Sequence, residues 1–173
     1  MAYRLAGFVA AVALAGAGVA MAAEGPTDPQ IAHIAYTAGN IDVAAAKQAL
    51  AKSHNKAVRE FASEMVRDHE AVNAKALALV KELKVTPEDN STSQALSKGA
   101  ADEAQTLASL DGAAFDKAYV ANEVAFHKTV NGALQSTLIP SADNAQLKSL
   151  LETGLTLFRE HQMHAEHLAT ELK

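Results

Sequence analysis

The sequence has no cysteine and no tryptophan, and its 173 residues include only four prolines and nine glycines. Without a thiol the chain forms no disulfide, and any metal site must use nitrogen and oxygen ligands. Lysine and arginine number 15 and form no block, and the formal net charge is −5, which argues against a nucleic-acid partner. With so few helix breakers, 49% hydrophobic residues are typical of one helical domain.

The N-terminal residues have the pattern of a secretory signal peptide. Arg4 gives a positive start, an apolar run covers residues 5–20, and small residues follow at Ala22 and Ala23. We expect residues 1–22 to be a signal peptide and residues 23–173 to form one exported domain with no transmembrane span. An uncleaved membrane anchor is the alternative, although the run is short and rich in alanine and glycine.

Apolar residues recur at helical spacing along four long segments. We predict core helices at about residues 29–53, 55–84, 113–138 and 142–172, and a weaker, more polar helix at about 93–110. Asp28 and Ser141 are the expected N-caps of the first and fourth helices, and Pro140 is expected to stop the third. The break between the first two helices is short and the next connection is longer. This order indicates an all-α, antiparallel four-helix bundle of the crossover kind.

Histidines replace an apolar step of the helical stripe at positions 69 and 161, and His127 lies with Glu123 along the border of the stripe of the third helix. Each long helix also carries a carboxylate near its inner stripe, and one further histidine follows the last interruption by a turn. The candidate metal ligands are Asp42, Asp68, His69, Glu123, His127, Glu160, His161 and His164. Carboxylate oxygens with imidazole nitrogens suit iron, manganese or zinc, and imidazole also accepts copper(II).

Two other interpretations explain the same residues. A core histidine can hydrogen-bond a neighbouring carboxylate without any metal, so the cluster would be purely structural. The chain would then be a non-catalytic envelope or stress-response protein that binds a partner through an outer face. The third interpretation is an enzyme with Tyr119, His127 and Glu123 as acid and base groups. No nucleophile with a partner base, phosphate-binding loop or cofactor motif accompanies them, so we do not expect an enzyme.

Three segments resemble a known family: "FASEMVRDHEAVNAKALAL", "LDGAAFDKAYVANEVAFHKTV" and "LFREHQMHAEHL". They are similar to the exported bacterial domain-of-unknown-function family 4142, whose members are often labelled outer-membrane proteins. The resemblance implies a ferritin-like four-helix bundle in a bacterial periplasm, with association with the envelope as the alternative location. The positions that coincide with the family's motif residues are Asp68, His69, Asp116, Tyr119, His127 and His161. Asp42 stands where the family commonly has a glutamate.

The chain departs from the pattern of ferritin-like di-iron proteins. Those sites use two Glu-x-x-His motifs with further glutamates. Here Glu123 and His127 are four residues apart, whereas Asp68 and His69 are adjacent. We therefore predict a mononuclear or weaker metal site rather than a ferroxidase centre, in a periplasmic bundle that serves metal handling or stress protection.

Overall fold

The computed structural model describes residues 25–172, and this part of the chain is helical without a strand. The elements are α1 (Asp28–Lys52), α2 (Lys56–Glu82), α3 (Ser91–Ala108), α4 (Gly112–Ala133), a π-helical turn (Leu134–Leu138), α5 (Ile139–Ser141) and α6 (Ala145–Glu171). The predicted all-α class is confirmed. The predicted signal peptide, residues 1–22, lies outside the described residues. None of the described helices is both long and apolar enough to cross a bilayer.

The long helices pack as two antiparallel pairs. In the first pair, Lys47 of α1 contacts Glu70 of α2 with 2.7 Å between Nζ and Oε1. In the second pair, Asn131 of α4 donates a hydrogen bond of 3.2 Å to the Phe158 carbonyl of α6. The pairs also contact each other through α1 with α4 and α2 with α6. Helix α3 packs against α1, where Lys52 Nζ donates to the carbonyl oxygen of Ala108 at 2.7 Å.

A polar layer divides the interior into two apolar clusters. The first cluster contains Ala46, Ala49, Val58, Phe61, Ala62, Met65, Leu107, Phe115, Tyr119, Val120, Ala165 and Leu168. The second contains Ile31, Ile34, Leu134, Leu138, Ala142, Leu147, Leu151 and Leu155. Between them along the helices lie the buried residues Asp42, His69, Glu123, His127 and His161. The histidines that interrupt the apolar stripes therefore share one level in the middle of the molecule.

The ends of two helices differ from the sequence-based expectation. Helix α1 already includes Asp28, because Thr27 is its N-cap. The Asp28 carboxylate instead accepts hydrogen bonds from the backbone N–H groups of Asp143 and Asn144, at 3.0 and 2.9 Å. This contact orders the chain before α6, whose N-cap is Asn144 rather than Ser141.

Pro140 does not stop the helical backbone that follows α4. Proline has no N–H group and cannot donate a hydrogen bond within a helix. The π-helical turn precedes it, and the Ile139 N–H group donates to the Leu134 carbonyl, five residues earlier. The helical path then continues through Ser141 as α5. A change of hydrogen-bonding register before the proline therefore replaces the sharp stop that the sequence predicts.

Candidate metal centre

Three histidines from three helices meet in the polar layer. His69 on α2, His127 on α4 and His161 on α6 are 2%, 1% and 1% exposed. Their ring centroids are 5.6 Å apart for His69 and His127, 5.3 Å for His69 and His161, and 5.6 Å for His127 and His161. One ring nitrogen from each lies within 4.8 Å of those from the other two. Since these side chains come from separate helices, the packing of the helices creates the cluster.

The ring of Phe158 supports the cluster from α6. It stacks on His69 with a centroid distance of 4.7 Å and an interplanar angle of 6°. One turn earlier on the same helix is Gly154, where a β-carbon would come within 3.3 Å of the Phe158 ring. The glycine therefore leaves room for the phenyl ring that fixes the plane of His69.

A carboxyl group lies close to one nitrogen of each of the three rings. His69 Nδ1 is 3.5 Å from Asp42 Oδ2, and His127 Nδ1 is 3.5 Å from Glu123 Oε2. His161 Nε2 is 3.1 Å from Asp68 Oδ2. Metal-binding histidines commonly place a carboxylate or carbonyl at the nitrogen that does not bind the ion, because this contact fixes the ring orientation and the tautomer.

The hydrogen bonds define which nitrogens are free to bind an ion. His127 Nδ1 donates to the backbone carbonyl of Glu123 at 3.1 Å. A carbonyl only accepts, so the proton is on Nδ1 and Nε2 carries the lone pair. His161 Nε2 contacts the Asp68 carboxylate, which also only accepts. The proton of this ring is therefore on Nε2, and Nδ1 carries the lone pair. Within residues 25–172, His127 Nε2, His161 Nδ1 and both ring nitrogens of His69 have no hydrogen-bond partner.

The three histidines are held in the neutral form that binds metal. Burial lowers the pKa of His69 to about 3, and His127 and His161 lower it further in the same direction. Burial likewise lowers the pKa of His127 to about 4. The pKa of His161 is lowered by burial as well, against the opposing effect of Asp68. At neutral pH all three rings are therefore neutral and carry a single proton each. No proton must leave the free ring nitrogen before an ion binds.

A second group of candidate ligands contains His127 and two carboxyl groups. One oxygen each from Asp42 and Glu123 and one nitrogen of His127 lie within 4.8 Å of one another, and all three residues are buried. Burial raises the pKa of Glu123 to about 8. Burial and then the neighbouring Glu123 raise the pKa of Asp42 well above its ordinary value. These carboxyl groups therefore favour the protonated form in the absence of a cation.

A third group leads from the cluster towards the surface. Ligand atoms of Glu64, Asp68 and His161 lie within 4.8 Å of one another. The hydrogen bonds of Arg67 to both Asp68 oxygens, at 2.7 and 2.9 Å, lower the pKa of that carboxyl group. Glu64 also contacts His164, with 2.8 Å between Oε2 and Nδ1. Asp68 and Glu64 are partly exposed, so this group joins the buried histidines to solvent.

The structure separates the residues that the sequence singled out into three sets. Five of them share the buried layer: Asp42, His69, Glu123, His127 and His161. Asp68 and His164 lie at its outer border. Glu160 is exposed and belongs to none of the three ligand groups found among the described residues. Glu64 was missed, although it precedes Asp68 by four residues and therefore shares its side of α2.

Comparison with known proteins identifies the family but no characterised relative. Neither the curated proteins nor the solved structures contain a significant match to the chain. A family model matches residues 13–168, nearly the whole chain, and its description is a domain of unknown function. The chain belongs to this family, DUF4142.

Proposed function

We propose that the protein is a periplasmic, ferritin-like helical bundle that binds one transition-metal ion between His69, His127 and His161, and that it serves metal handling or stress protection. The observation that carries the proposal is that each of the three rings has at least one buried nitrogen without a hydrogen-bond partner within residues 25–172. A buried polar group without a partner costs about 1–3 kcal/mol, so several in one place call for a ligand.

The donor set favours zinc or copper over manganese. Imidazole nitrogens suit zinc, copper and iron, whereas manganese prefers carboxylate oxygens. Three neutral histidines also leave a fourth position open, as in zinc sites that bind water or a substrate. Zn–N bonds of 2.0–2.1 Å imply nitrogen separations of about 3.4 Å in tetrahedral geometry, and one nitrogen of each ring lies within 4.8 Å of those of the other two.

The ferritin-like arrangement and the location rest on different observations. The two antiparallel pairs of long helices, with α3 in the connection between them, support a bundle of the crossover kind. The signal-peptide pattern of residues 1–22 supports export to the periplasm. The missing Glu-x-x-His motifs argue against a di-iron centre.

Elemental analysis of the protein purified without a histidine tag tests the proposal. The metal-free protein is exposed in turn to iron, manganese, copper and zinc, then freed of unbound ion. The parent should retain about one ion per chain, with zinc or copper held most tightly. His69→Leu and His127→Leu should retain none, whereas His167→Leu, a change at an exposed histidine, should behave like the parent.

Two results would contradict the metal proposal. The parent could bind none of the four metals, in which case the polar layer is a structural network. Alternatively, the His69 and His127 variants could retain as much metal as the parent, which would place the ions at surface residues.

A further inference from the structure

An interior cavity of about 550 Å³ begins at the polar layer and runs through the second apolar cluster. Helices α1, α2, α4 and α6 all contribute to its wall, together with the start of α3 and the π-helical turn. Asp42, His69 and Phe158 line its inner end, and Ile34, Leu134 and Leu151 are among the apolar residues beyond them. The cavity therefore meets the candidate metal centre at His69 and the second ligand group at Asp42, while most of its wall lies beyond them.

Several small residues line this cavity and leave its volume unfilled. Ala38 and Gly39 of α1, Ala76 of α2 and Gly154 of α6 face it at positions where larger side chains would fill the core. Protein interiors are close-packed and contain few voids larger than a water molecule. A volume of 550 Å³ is more than three times the cavity of about 150 Å³ that holds benzene, and it falls within the range of small-molecule sites.

The cavity is long and narrow. Its wall includes α1 residues from Gln30 to Asp42, and twelve helical residues span about 18 Å. Dividing the volume by this length gives a mean cross-section of about 30 Å², which suits one extended aliphatic chain better than a fused ring system. Near Gln30 the lining becomes polar and includes the exposed residues Ser91 and Thr92, so the cavity reaches the surface at this end.

The inner end is polar but offers no positive charge. Asp42, His69 and Asn73 lie there, and among the lining residues that the structure describes no lysine or arginine occurs. A carboxylate head group would lie beside Asp42 and would have to be buried without a counter-ion, which is strongly unfavourable. An uncharged hydroxyl group can instead hydrogen-bond the His69 ring, whose nitrogens have no partner within residues 25–172.

We propose that this cavity binds a single-chain aliphatic molecule with an uncharged polar head, such as a long-chain alcohol, with the head beside Asp42 and His69 and the chain along α1 towards Gln30. The proposal does not depend on a bound metal, since the geometry of the wall and the free nitrogens of His69 are present without one.

Calorimetric titration of the full chain with decan-1-ol tests this proposal. Decan-1-ol should bind the metal-free protein saturably at one molecule per chain. Decanoate has a chain of the same length with an anionic head, and it should bind at least about tenfold more weakly. The proposal would be overturned if decan-1-ol showed no saturable binding, or if decanoate bound as tightly as the alcohol.

Cavity-filling variants locate the ligand. Ala38→Leu adds three carbon atoms inside the cavity and should weaken decan-1-ol binding at least about tenfold, and Ala35→Leu provides a second filling variant. Ala78→Leu makes the same change at an exposed position of α2 outside the cavity and should bind like the parent. Melting curves confirm that each variant is folded. Unchanged binding in both folded filling variants would place the alcohol elsewhere and refute the assignment.

Metal analysis of the same samples distinguishes this proposal from the proposed function. Alcohol binding without metal uptake would refute the metal centre and support the cavity ligand. Metal uptake without alcohol binding would support the metal centre and refute the cavity ligand.

Discussion

Replacing His69 by leucine should have opposite effects on the metal-free and the metal-loaded protein. In the metal-free state the ring nitrogens of His69 have no hydrogen-bond partner, and an unsatisfied buried group costs about 1–3 kcal/mol. Leucine removes this cost but also removes the stacking on Phe158, which contributes about 0.5–1.5 kcal/mol. The net effect is a gain of about 1 kcal/mol, or a rise in melting temperature of about 2–4 °C for a domain of this size.

The metal-loaded protein should respond in the other direction. An ion at 1,000 times its dissociation constant stabilises the folded state by about 4 kcal/mol. The melting temperature of the parent should then rise by about 8–16 °C on metal addition. With one of three ligands lost, the leucine variant should show less than about a quarter of this rise.

Melting curves followed by circular dichroism measure both effects. Parent, His69→Leu and His167→Leu are compared in a chelator and then with excess zinc, and the exposed His167 controls for surface binding. The reasoning is refuted if His69→Leu destabilises the metal-free protein by several kcal/mol, or if zinc stabilises this variant as much as the parent.

Three further predictions concern the surroundings of the centre. Asp68→Asn should weaken metal binding about 10–100-fold with unchanged stoichiometry, because the Asp68 carboxylate orients the ligand His161. Competition with a chelator measures the affinity, and an affinity equal to that of the parent would argue against an orienting role of Asp68. Burial raises the pKa of Glu123 from 4.5 to about 8, so the contribution of this group to the stability of the metal-free protein is lost as pH rises through this range. The lowered pKa values of His69 and His127 act in the opposite direction below 6.5, so the net fall should appear between about pH 7 and 9. Urea midpoints over that range should show a flatter curve for Glu123→Gln. Gly39→Ala should cost about 1–3 kcal/mol, since its β-carbon overlaps the Asn73 side chain, whereas Gly99→Ala, with open space around it, should not destabilise the protein in the same melting assay.

Local periodicity predicts much of this structure because helices and their buried faces depend on nearby residues. His69 and His161 stood out as interruptions of apolar stripes and His127 as a residue on the border of one, and all three are buried. Their meeting at one level depends on how far each helix slides along its neighbours, and periodicity within one helix carries no information on that distance. The start of α6 was misplaced for a related reason, since Asp28, over a hundred residues earlier, binds the backbone before it.

The limits of periodicity are clearest for the acidic residues beside the stripes. Consecutive residues on a helix point about 100° apart. Because His161 points inward, its neighbour Glu160 is directed out to solvent. Glu64 reaches the cluster because it lies one turn before Asp68, whose own side chain is at the border of the layer. For residues next to an inward-pointing residue, the direction of the side chain is therefore known only from the structure. The spacing of the apolar residues does not predict it.

The orientation of the rings favours the proposed metal centre over a structural network. A purely structural hydrogen-bond network would pair the histidine lone pairs with hydrogen-bond donors, because unpaired buried groups destabilise the fold. Here His127 Nδ1 is bound to the Glu123 carbonyl and His161 Nε2 to Asp68, so the occupied nitrogen of each ring leaves the other without a partner. His69 Nδ1 faces the Asp42 carboxyl group at 3.5 Å, and neither ring nitrogen of His69 has a hydrogen-bond partner within residues 25–172. Each of the three rings therefore faces a carboxyl group or carbonyl with one nitrogen and keeps another free, an arrangement that favours the proposed metal site over a self-sufficient hydrogen-bond network.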